Sequence, residues 1–71
     1  MRNIKKYLEN NNINYTSNDV AFTPDVRFMI EQEIYLVQDF KNVYEICTID
    51  REMVKEFKSQ KALIEFLKEV A

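Results

Sequence analysis

The 71-residue sequence has no histidine, glycine or tryptophan, and only one cysteine and one proline. Without an imidazole base, neither a Ser-His-Asp nor a Cys-His nucleophilic arrangement can be assembled. One cysteine and no histidine cannot supply the four ligands of a structural zinc site within one chain. Cys47 has no disulfide partner in the chain, which fits a reduced, cytoplasmic setting. Glycine-rich phosphate cradles need residues that tolerate positive φ and close backbone approach, so P-loop and dinucleotide-binding readings fail. These absences argue against hydride- and phosphoryl-transfer enzymes, and no cofactor is expected.

Long apolar runs are also missing. The longest is four residues, Ile34 to Val37, far short of a membrane span. The start Met1-Arg2-Asn3-Ile4-Lys5-Lys6 is basic, but no apolar stretch follows it, so no signal peptide is expected. Charge of one sign is lacking too: 10 Lys and Arg stand against 12 Asp and Glu, for a net charge of -2. That is neither a basic nucleic-acid footprint nor an acidic mimic of one.

What is abundant speaks of the gene. Asn, Ile, Lys, Phe and Tyr, which have AT-rich codons, make up 30 of the 71 residues, whereas Gly, Ala, Arg and Pro make up 7. A low-GC bacterium, or a phage or plasmid of one, is the natural source. Hydrophobic residues at 46% and charged residues at 31% describe one ordinary small globular domain over residues 1–71.

Periodicity then orders the chain. Ile4, Tyr7 and Leu8 predict a helix over 2–10, stopped by Asn10-Asn11-Asn12, since Asn tolerates the left-handed conformation better than most residues. Ile13 and Tyr15, a turn at Asn18-Asp19, then Val20 and Phe22 suggest a short hairpin. Val26, Phe28 and Ile30 alternate after Pro24-Asp25. Residues 34–38 and 43–49 read as strands around a turn at 39–42, and 53–57 as a last strand. Ser59 caps a helix over 60–70 with its stripe at Leu63, Phe66, Leu67 and Val70. The expected fold is α+β: an antiparallel meander of four to six strands with both terminal helices packed on one face.

With a loop at 39–42, Val37 faces Tyr44 and Tyr35 faces Ile46 on one side of the sheet. Ile34, Leu36, Val43, Glu45, Cys47 and Ile49 fall on the other. Two short helices cover one side only, so the second apolar side points to a homodimer or to a partner protein. Ile34, Leu36 and Glu45 are the candidate contact residues there. Phe40, at the tip of the 39–42 turn, is a candidate interface anchor, unless it tucks back under the sheet.

Pro24-Asp25 followed by Asp39-Phe40-Lys41 resembles the signature of the PD-(D/E)xK nucleases. The resemblance implies Asp25 and Asp39 as ligands of a divalent metal and Lys41 as the residue that positions or activates the attacking water. As turn chemistry, the same residues are two loops, and that reading is preferred. The α-β-β-β-α order also resembles double-stranded-RNA-binding domains, but Ser59-Gln60-Lys61-Ala62 has one Lys where that family clamps phosphates with several.

The expected function is therefore that of a small non-enzymatic protein that binds a host or self protein in the cytoplasm. A phage- or mobile-element-encoded inhibitor or modulator of a host protein, such as a defence system, fits that description. The alternative is a minimal metal-dependent nuclease using Asp25, Asp39 and Lys41, and a further one a nucleic-acid-binding module.

Overall fold

Ile4 and Leu8 stand one helical turn apart. In the computed structural model, which describes residues 1–19 and 22–70, both lie on the buried stripe of α1 (Arg2–Asn10). The helix ends as the asparagine run predicts: Asn11 N–H donates to the carbonyls of Tyr7 and Leu8, and Asn12 turns left-handed at φ 57°. Its start has no local cap, because Met1 offers no side-chain acceptor. Gln60 Oε1 takes that role from the far end of the chain, accepting the N–H groups of Asn3 and Ile4 at 2.9 and 3.1 Å.

Five strands follow: β1 (Tyr15–Asn18), β2 (Asp25–Ile30), β3 (Glu33–Asp39), β4 (Tyr44–Thr48) and β5 (Val54–Phe57). They pair antiparallel in the order β1-β2-β3-β4-β5, and α2 (Gln60–Val70) closes the chain. Ser59 Oγ accepts the Ala62 N–H at 3.1 Å, the expected N-cap of α2. The protein is thus an α+β fold with a five-stranded meander and a helix at each end.

The inner side of the sheet carries Val26, Phe28 and Ile30 of β2, Tyr35 and Val37 of β3, and Ile46 of β4. Ile4 and Leu8 of α1 and Leu63 and Leu67 of α2 join them in one core, so both helices pack on the same side. Phe28 and Tyr35, directly opposite each other, stack with ring centroids 5.7 Å apart. Thr48 is the buried polar residue among these, and its hydroxyl donates to Asp50 while accepting the Met53 N–H.

Two sequence expectations need correcting. The expected hairpin of 13–22 is not the pairing found: β1 pairs with β2, Phe22 is fully exposed outside any described strand, and Val20 lies outside the described residues. The β3–β4 loop is 40–43, closed by Phe40 N–H to the Val43 carbonyl, so Val37 faces Ile46 and Tyr35 faces Thr48. This register differs from the expected one by two residues. Side chains alternate with period two, so the slip leaves the paired residues of β3 and β4 on their expected sides, while Val43 passes from the strand into the loop.

The hairpins make their turns without glycine. Glu31 and Gln32, the two residues between β2 and β3, both have positive φ (50° and 72°), as a type I′ turn requires. Lys41 (φ 74°) and Arg51 (φ 61°) serve the next two connections. Asp39 Oδ1 accepts the Lys41 N–H at 2.8 Å, and Asp50 Oδ1 accepts the Glu52 N–H at 3.0 Å. The Glu52 backbone bond, and after it the Thr48 hydroxyl, hold the Asp50 carboxyl below the usual carboxylate range.

Candidate interaction surface

Among the described residues no helix lies over the other side of the sheet, and the register sorts its side chains into three rows across the strands. Met29 and Ile34 form the first, with Ile49 joined to it through its N–H to the Ile34 carbonyl at 3.0 Å. The second is Thr16, Arg27, Leu36, Cys47 and Val54. Asn18, Asp25, Gln38, Glu45 and Glu56 make the third. The surface therefore grades from hydrocarbon at one end of the strands to carboxylate at the other.

Met29, Ile49 and Val54 are about half exposed, at 54, 51 and 43%. Ile34 and Leu36 between them are partly buried by their neighbours. A shallow apolar depression runs along Asn14, Thr16, Arg27, Met29 and Ile34. A contiguous exposed apolar strip on a small domain is the usual mark of a binding surface.

Cys47 sits in the middle row yet is only 2% exposed. Arg51 accounts for part of this. Its left-handed backbone lets the side chain fold back over the sheet, with Nη1 3.7 Å from Cys47 Sγ and 3.7 Å from Glu45 Oε1. Glu45 and Glu56 are direct cross-strand partners. Like charges directly opposite each other destabilise a sheet. Among the described residues, the cation within ion-pair range of these two is Arg51, on Glu45 alone.

The four contact residues expected from the sequence divide. Ile34, Leu36 and Glu45 all lie on this face. Phe40 is 44% exposed in the β3–β4 loop at its acidic end. Sequence reasoning did not find Met29, Val54, Arg51 or Glu56 as members. The alternating pattern of 26–30 held the signal for Met29, whereas the others depend on how β5 registers against β4.

The residues of the nuclease-like motif fall differently. Asp25 lies in the acidic row of the open face, paired with Gln38. Asp39 pairs with Tyr44, which puts it on the helix-covered side, and its carboxylate caps the Lys41 N–H. The two carboxylates are on opposite sides of the sheet, and Lys41 is an exposed turn residue. Among the described residues, no group of three His, Cys, Asp or Glu side chains is placed to hold a metal ion. No described helix is long and apolar enough to cross a membrane.

The sheet edges offer less than the face. β1 is four residues of mostly exposed polar chain and β5 four residues carrying Lys55 and Glu56, both short and polar or charged, as protected edges are. The chain matches no protein-family model, no curated protein and no solved structure.

Proposed function

We propose that this is a small non-enzymatic binding protein whose uncovered sheet face docks another protein, inhibiting or modulating it. A cytoplasmic target in a low-GC bacterial host, with the gene carried by a phage or mobile element, is the setting that the excess of Asn, Ile, Lys, Phe and Tyr and the lone Cys47 support. The observation that carries the reading is the apolar strip of Met29, Ile34, Leu36, Ile49 and Val54 on the side of the sheet opposite the two described helices. Both edges being short and polar favours the face over strand addition as the mode of contact.

The test is capture by the tagged protein from a low-GC Gram-positive lysate, with and without nuclease treatment. The wild type is compared with Leu36→Glu on the face and Lys68→Glu on α2. One stoichiometric protein that survives nuclease, is lost with Leu36→Glu and is kept with Lys68→Glu is the expected result. Recovery that depends on nucleic acid sinks the reading. So does Mg- or Mn-dependent cleavage abolished by Asp39→Ala with the fold intact, which is the result the nuclease alternative demands.

A further inference from the structure

A face that binds protein can meet either a second copy of this chain or something foreign, and the charge on this face separates the two. We propose that its partner is a different protein, whose contact surface is apolar along one side and lined with lysine or arginine along the other. This rests on the protein-binding reading above and adds the chemistry of the partner.

Two copies docked face to face are related by a twofold axis lying in the plane between them. Stacked sheets pack with their strands either nearly aligned or nearly orthogonal. In the aligned case, an axis along the strands lays the row of Asp25, Glu45 and Glu56 on its own counterpart. An axis across the strands lays it on Met29, Ile34 and Ile49, burying carboxylates against hydrocarbon. In the orthogonal case the row lies along β1, with Thr16 and Asn18, or along β5, with Val54 and Glu56. In each of these arrangements the residues laid on the row at its register positions are acidic or uncharged. The two arginines of the face do not change this, since Arg27 stands in the middle row and Arg51 already leans on Glu45.

A foreign surface has no such constraint. Lysine or arginine placed over Glu45 and Glu56 would offset like charges at directly opposed positions, of which Arg51 meets only Glu45. Apolar side chains beside those cations would cover Leu36, Val54 and Ile49. At strand spacings of about 4.8 Å and two-residue steps of about 6.8 Å, the face is roughly 24 by 20 Å. That is below the standard interface of about 800 Å² per partner, so a fast-exchanging complex is expected, with affinity sensitive to salt.

The probe is a short synthetic peptide of alternating leucine and lysine, with a leucine–glutamate peptide as its control, each titrated into the isotopically labelled protein and followed by amide NMR shifts. Shifts at Leu36, Cys47, Val54 and Glu56 with the leucine–lysine peptide are expected. Binding should weaken about tenfold in the Glu45→Gln, Glu56→Gln double variant, and similarly at high salt. The double variant should melt at or above the wild type, which excludes misfolding as the cause. Equal binding of the leucine–glutamate peptide overturns the charge inference and leaves protein binding standing. Shifts confined to the helices, or none at millimolar peptide, overturn both. A concentration-dependent dimer in sedimentation, with the same face shifted, assigns the surface to a second copy and overturns the inference.

Discussion

Gln32→Gly should make this protein more stable, although it removes a side chain. Gln32 has φ 72° in the two-residue turn between β2 and β3. The left-handed region costs a non-glycine residue about 1–2 kcal/mol. Glycine enters it freely but loses about 0.5–1 kcal/mol more chain entropy on folding. The difference favours the variant by about 0.5–1 kcal/mol, and Glu31→Asn in the same turn (φ 50°) should add a few tenths. A chain of this size is stable by about 4–10 kcal/mol, so the change is measurable. It corresponds to a rise in Tm of about 4–8 °C per kcal/mol. Equilibrium urea unfolding is the assay: the midpoint should move up with the slope unchanged. Gly placed at Arg27, in an extended part of β2, is the control and should lower the midpoint. An unchanged or lower midpoint for Gln32→Gly would refute the reasoning, and would mean that the side chain contributes more than its backbone strain.

Three further outcomes follow from the packing and polar contacts. Gln60→Ala should cost about 1–2 kcal/mol by uncapping α1, whereas Gln60→Glu keeps the acceptor and should hold or raise Tm in far-ultraviolet circular dichroism. Leu63→Ala, at a site with no solvent exposure, should cost about 2–5 kcal/mol in urea unfolding, a large share of the total. Asp50 has a lowered folded pKa, so its contribution is complete above the ordinary carboxylate range and is lost as pH falls through the depressed value. Asp50→Asn should therefore flatten the acid limb of a stability–pH profile, and an unaltered limb would contradict that role.

Much of this architecture could be read from residue order. The stripes at Ile4 and Leu8 and at Leu63 and Leu67, and the alternation of Val26, Phe28 and Ile30, each bury a face, so periodicity located them. Residues 13–25 were misleading because β1, Tyr-Thr-Ser-Asn, buries little. Val20 and Phe22 alternate more convincingly than the residues that pair. The β3–β4 register was ambiguous because Asp39 both ends its strand and caps the turn. The open face was half legible. Ile34, Leu36 and Glu45 follow from parity alone, but the Glu45–Glu56 contact and the reach of Arg51 depend on a connection whose left-handed residue is an arginine. A glycine there would have marked the turn; its absence left that corner silent.

The Gln60 cap also bears on how the protein is made. α1 has nine residues, too few to persist alone in water, and the acceptor that completes it is 56 to 57 positions further along. α1 is therefore synthesised before α2 yet becomes secure only with it. Closure of α1 waits for the chain through Gln60, and the helix stays open to chaperones and proteases until then. A message truncated between α1 and Gln60 would yield a chain without that closure, a ready substrate for clearance in place of a partly working product.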